Sequence, residues 1–179
     1  MEIAPGVHRI VVGQGAFTGV YPPNVYLVIG KRAAFIDSGY NTKADIEPRL
    51  SYWKNLGSPP VAAIILTHRH PDHTGGAFAF QEATLGTIMA HRHEREAIGF
   101  GLGNREVVNT VDTADTLDLG GTTLEFIHTP GHTLGSMSIL LKEERILFTG
   151  DTILGIGTTV VNPDHGDMSL YIESLCHLQ

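Results

Sequence analysis

The chain has 179 residues, 12 of them basic and 19 acidic, for a formal net charge of −7, with 42% hydrophobic and 17% charged residues. This is ordinary globular composition for one domain able to bury a core, and the acidic balance leaves no basic footprint for nucleic acid. A single cysteine, Cys176, excludes an internal disulfide. The N-terminal MEIAPGVHRIVVG lacks the basic start and apolar run of a secretion signal, and no apolar stretch reaches membrane-spanning length. The expectation is a cytoplasmic protein with no membrane partner.

In chain order, VHRIVVG (7–13), NVYLVIG (24–30) and RAAFID (32–37) read as strands, being β-branched and aromatic runs bounded by Gly, Pro and Asn. GQGAFTGVYPPN, between the first two, reads as a long loop with Phe17 and Tyr21 available as a flap. Asn41 or Thr42 can cap a helix through about Gly57, with Ile46, Leu50, Trp53 and Leu56 as its apolar stripe. VAAIILT (61–67) is a continuous apolar run, the mark of a buried strand. After it come a helix over AFAFQEATLG, a strand TIMAH (87–91) and a helix and loop over HEREAIGFG. REVVNTVD, DTLDLG, TLEFIHT (123–129), MSILLK (137–142) and RILFTGD (145–151) form a second strand-rich block. A loop and a C-terminal helix, MSLYIESLCHLQ, close the chain. The pattern predicts a single α/β domain over 1–179 built from two similar halves.

Chemistry concentrates where VAAIILT ends. THRHPDHTGG puts His68, His70, Asp72 and His73 within six positions. At a strand end, residues two apart can face the same way, and two converging imidazoles suit a cation such as zinc. Asp72 and His73 add an oxygen and a nitrogen donor in the turn, and Pro71 stiffens it. Each histidine alone is unremarkable; the cluster has no packing reason. Two later turns follow apolar runs in the same manner: HTPGHTLGS, with His132, after TLEFI, and TGD, with Asp151, after RILF. Loops at strand ends can meet at one edge of a sandwich.

HxHxDH, then GHT, then GD resembles the metallo-β-lactamase superfamily, and the likeness spans nearly the whole chain, including YLVIG and FIDSG early on. It implies an αβ/βα sandwich of two mixed sheets flanked by helices, with metals at one sheet edge. By position, His68, His70 and His132 would bind one zinc, Asp72 and His73 a second, and Asp151 would bridge them. Fe or Mn are alternatives. The resemblance also implies a metal-activated hydroxide that cleaves an ester, thioester or phosphodiester, with Asp72 orienting it and passing a proton. Asp37 corresponds to an aspartate buried near the site, expected to steady a ligand.

The chain departs from the pattern after Asp151. The family's late histidine ligand, in a motif like PGHG, has no match: His165 comes too soon and His177 lies on the terminal helix. The last strand and helix of the family are also missing, which predicts a C-terminally incomplete domain whose open edge a homo-oligomer could cover. GDTILGIGTT with YIESL resembles the endoribonuclease branch, whose substrate is single-stranded RNA, and the core also resembles glyoxalase II, a thioesterase. Two further readings stand beside the hydrolase. One is a mononuclear iron persulfide dioxygenase using His68, His132 and Asp151. The other is an inactive truncated scaffold. AHRHERE (90–96) repeats the HRH spelling without a following DH, and Glu94, Arg95 and Glu96 predict a solvated helix start there. His128 reads as a packing residue or one that supports a ligand from behind rather than as a ligand, and Cys176 as a helix-packing residue.

Overall fold

The computed structural model describes residues 1–12, 23–103 and 109–179, so the predicted flap with Phe17 and Tyr21 lies outside the described residues. The first half of the chain forms a seven-stranded sheet with its strands in chain order. These are β1 (Glu2–Ala4), β2 (Val7–Ile10), β3 (Val25–Ile29), β4 (Ala33–Ile36), β5 (Val61–Leu66), β6 (Thr87–His91) and β7 (Asn109–Val111). β1 to β4 pair antiparallel, and β4 to β7 pair parallel.

Parallel neighbours need crossovers, and helices supply them. α1 (Lys43–Asn55) links β4 to β5; the single turn α2 (Pro71–Thr74) and α3 (Ala77–Thr84) link β5 to β6; α4 (Arg95–Gly101) follows β6. The second sheet holds β8 (Thr116–Asp118), β9 (Thr123–His128), β10 (Met137–Leu141) and β11 (Ile146–Phe148) in the order β11-β10-β9-β8. Every pair in it is antiparallel. The expectation of two mixed sheets is therefore corrected: short connections between these strands permit only hairpins, so one sheet is mixed and the other is not. α5 (Met168–His177) completes the described elements.

The central strands read as unbroken apolar runs because both of their faces are buried. Val28, Ala34, Ile36 and Ile65 point into the sandwich against Leu124, Phe126, Ile139 and Phe148. Their alternate neighbours Leu27, Phe35, Ile64 and Leu66 face the helices and meet Trp53, Phe80 and Ile98. This two-sided burial removes roughly 1.5–3 kcal/mol of unfavourable exposure per large side chain and makes the sheet a rigid frame for its edge.

Three local readings change. α1 is capped by Thr42, whose side chain accepts the Asp45 N–H, but its deepest residue is Arg49, held by Asp45 at 2.5 Å, while Leu56 is exposed. β11 stops at Phe148 because Thr149–Thr152 closes a turn and Gly150 takes φ 51°. Cys176 is exposed on α5 rather than packed. Among the described residues, no helix is long and apolar enough to cross a membrane.

Candidate metal centre

Five segments end at one edge of the sandwich. Asp37 follows β4, Thr67 to His70 follow β5, α2 carries Asp72 and His73, the turn between β9 and β10 carries His132, and Asp151 lies just beyond β11. The two sheets are tied together there, since the Met137 N–H donates to the Thr67 carbonyl at 2.9 Å. Gly150 lets the chain approach closely: a Cβ at that position would sit 2.8 Å from Thr67 Oγ1.

The three ring nitrogens that point inward nearly touch. His70 Nδ1 lies 3.0 Å from His68 Nε2 and 2.9 Å from His132 Nε2. The opposite nitrogens reveal the tautomers. Thr67 Oγ1 donates to Asp37, so it accepts from His68 Nδ1–H at 3.0 Å. His132 Nδ1–H donates to the Val160 carbonyl at 2.7 Å. Both Nε2 atoms therefore carry lone pairs aimed at the same small space, and with Asp151 the group has the donors of a cation site. The site residues fit a metal on this chemistry, because converging lone pairs repel unless a positive charge lies between them.

Asp151 links this group to a second one. Its Oδ2 is 3.6 Å from His132 Nε2 and 4.0 Å from His68 Nε2, while Oδ1 is 3.3 Å from His73 Nε2. Asp72 Oδ2 stands 3.6 Å from that same His73 nitrogen. Asp37 anchors the arrangement from behind. It accepts from His73 Nδ1–H at 2.7 Å, from the Thr67 N–H at 2.8 Å and from the Thr67 hydroxyl at 3.0 Å. Its φ of 61° is a left-handed conformation that Asp tolerates better than most residues.

Electrostatics divide the imidazoles. Burial keeps His68 well below the usual value, and His73, His132 and His70 push the same way. His70 is pushed down to about 4 by burial and by His132 and His165. Both are neutral at pH 7, the form that ligates. Burial opposes a charge on His73, but Asp37 and Asp151 outweigh it and raise its pKa to about 10. Burial likewise opposes the Asp151 charge, and His73 outweighs it and holds the carboxyl below its ordinary value.

Two residues stand where the sequence reading did not put them. Glu94, expected at a solvated helix start, is fully buried. Its carboxylate takes Arg69 Nε at 2.5 Å and the Gly135 N–H at 2.8 Å, bracing the His68–His70 loop against the turn that holds His132. His165, set aside as too early for a ligand, has its Nε2 3.2 Å from His70 Nε2. Neither had a local signal: Glu94 sits in a charge-rich run, and His165 lies 95 residues from its partner.

AHRHERE also forms a cluster, since ligand atoms of His91, His93 and His128 lie within 4.8 Å of one another. Its geometry is different. The His91 and His128 rings stack at 4.0 Å with planes 14° apart, so their in-plane lone pairs run side by side instead of meeting. His128 Nε2–H donates to the Leu134 carbonyl at 2.9 Å, and His91 Nδ1 accepts the His93 N–H at 3.3 Å.

Comparison with known proteins agrees with this architecture. The profile of the Metallo-beta-lactamase superfamily matches residues 18–178. A lactamase-like protein of Pestalotiopsis microspora is 37% identical over 163 residues, 89% of this chain and 48% of its own length. An atrochrysone carboxyl ACP thioesterase of Aspergillus chevalieri is 31% identical over 176 residues, covering 97% of this chain and 53% of the relative. The chain thus spans about half the length of the curated relatives it matches. In fold, a metallo-beta-lactamase from Pontibacter korlensis superposes with a TM-score of 0.83 at 22% identity, over 100% of this chain and 83% of the other.

Proposed function

The chain belongs to the metallo-β-lactamase superfamily, and we propose that it is a zinc-dependent hydrolase acting on a thioester. One observation carries the reading: His70 Nδ1 lies about 3 Å from both His68 Nε2 and His132 Nε2 beside Asp151, and the His68 and His132 rings are oriented from outside by Thr67 and the Val160 carbonyl. His68, His70, His132 and Asp151 would hold one ion, and Asp72, Asp151 and His73 a second, the ion displacing the Nε2 proton that Asp37 and Asp151 hold on His73 in its absence. When bound, such ions supply Lewis acidity to the substrate carbonyl and bring the pKa of water toward neutrality. Nitrogen and carboxylate donors at a strand edge favour zinc, with Fe and Mn as competitors.

The chain's own residues do the rest. Asp37 fixes His73, and Glu94 fixes the loop between His68 and His70. Asp72 Oδ2, beside His73 Nε2, takes the proton of the attacking water and returns it to the thiolate as the carbon–sulfur bond breaks. The loop after Asp151 exposes Ile153, Ile156 and Val160, an apolar flank suited to an acyl or aromatic group. That flank, the net charge of −7 and the thioesterase relatives support a thioester over single-stranded RNA.

The test is thiol release from a short pantetheine-like acyl thioester, run beside an ester and a single-stranded RNA, with the bound metals counted by elemental analysis. Chelation is expected to stop thioester cleavage and zinc to restore it. Metal-loaded protein that turns over none of the three would leave a scaffold. Iron at one equivalent with oxygen-dependent persulfide oxidation would overturn the hydrolase in favour of the dioxygenase.

A further inference from the structure

We infer that His165 is a positioning residue for His70: it accepts a hydrogen bond from His70 Nε2–H and so leaves the His70 Nδ1 lone pair aimed at the cation. This rests on the cation reading of the His68–His70–His132–Asp151 group.

A neutral imidazole that ligates through one nitrogen carries its proton on the other, and that N–H needs an acceptor to fix the ring. The other three histidines around the His68–His70–His132–Asp151 group have one. His68 uses Thr67 Oγ1, His132 uses the Val160 carbonyl, and His73 uses Asp37 Oδ2. For His70 the inward nitrogen is Nδ1, which faces His68 and His132. The nitrogen left over, Nε2, faces His165 Nε2 at 3.2 Å, with the two rings near perpendicular at 83°. A lone pair on His165 Nε2 completes the set.

His165 is held well enough to do this. Its carbonyl accepts the Leu134 N–H at 2.9 Å, its own N–H reaches the Asn162 carbonyl at 3.2 Å, and the Asp167 N–H reaches the Gly131 carbonyl at 2.9 Å. The turn is thereby bound to the loop that carries His132. The same segment supplies Val160 to His132, so residues 160–165 orient two of the three converging rings at once.

The experiment measures zinc affinity of the metal-free chain by competition with a chromogenic chelator, for wild type, His165→Leu, His165→Gln and the neighbouring exposed control Asp164→Ala. His165→Leu is expected to bind zinc about 10- to 100-fold more weakly, the usual cost of losing an outer partner. His165→Gln, which keeps a side-chain acceptor, is expected to recover most of the loss, and Asp164→Ala to match wild type. In zinc-loaded protein labelled with ¹⁵N-histidine, a through-hydrogen-bond coupling should join His70 Nε2–H to His165 Nε2. Wild type that binds no zinc would sink the cation reading itself. Wild-type binding with an unchanged His165→Leu affinity, an equal loss in Asp164→Ala, or an absent coupling would overturn the role of His165 and leave the cation reading standing.

Discussion

Two histidine clusters share one edge of this sandwich, and both come from an HRH spelling. At His68 and His70 the rings stand edge to face, at 89°, and their free nitrogens meet those of His132. At His91 and His93 the partner is His128, and the closest rings lie flat against each other. The difference lies in what the other nitrogens do. In the first cluster hydroxyl, carbonyl and carboxylate groups take the outward N–H groups and leave lone pairs inside. In the second, ring nitrogens go to the Leu134 carbonyl and the His93 N–H, and His91 Nε2 faces Asp112 Oδ1 at 3.4 Å. Metal sites are made by outer partners as much as by ligands.

The largest expected effect sets the clusters against each other. His68→Ala or His132→Ala should weaken zinc binding by more than about a hundredfold, beyond the 10- to 100-fold cost of an outer partner. His91→Ala and His128→Ala should leave stoichiometry and affinity unchanged. Elemental analysis after dialysis decides, and an equivalent of metal lost in His128→Ala would break the comparison.

A smaller effect belongs to Glu94, where the two regions join. Glu94→Ala leaves Arg69 without its carboxylate and the Gly135 N–H without its acceptor, a cost of about 2–3 kcal/mol. Urea denaturation of the metal-free protein measures it. Glu94→Gln, which still offers Gly135 an oxygen, should lose less. Equal stability in all three proteins would mean the brace contributes nothing.

The smallest effect is in pH. Burial and His128 lower the His91 pKa from 6.5 to about 4, against the pull of Asp112, with His93 adding to the repulsion and Arg92 bound to Asp112 at 2.8 Å. The unfolded chain then takes up this proton more readily than the folded one. Stability from a neutral His91 is fully present above about pH 6.5 and is lost as pH falls toward about 4. The slope of unfolding free energy over that window should be shallower in His91→Gln than in wild type. Identical slopes would show that His91 does not titrate differently on folding.

The strands were legible because they are apolar on both faces, and VAAIILT and TLEFIH stand within a residue of where they were read. The ligand candidates were legible because their residue types crowd into turns after such runs. Glu94 read wrongly because a charged triplet usually faces water, and here Arg69 and Gly135 desolvate it jointly from two distant segments. The nearness of His165 to His70 was not legible for a related reason: position along the chain says nothing about which ring nitrogen a turn will meet.

By itself, the sequence determined which strands could be buried, which residues could ligate and which family they resemble, since these depend on side-chain chemistry and short-range order. The missing DH already set the second HRH spelling apart, and tertiary structure decided how the first aims its lone pairs at a common point. That aim depends on tautomer and ring orientation, and both are set by acceptors as far away as Val160 and His165.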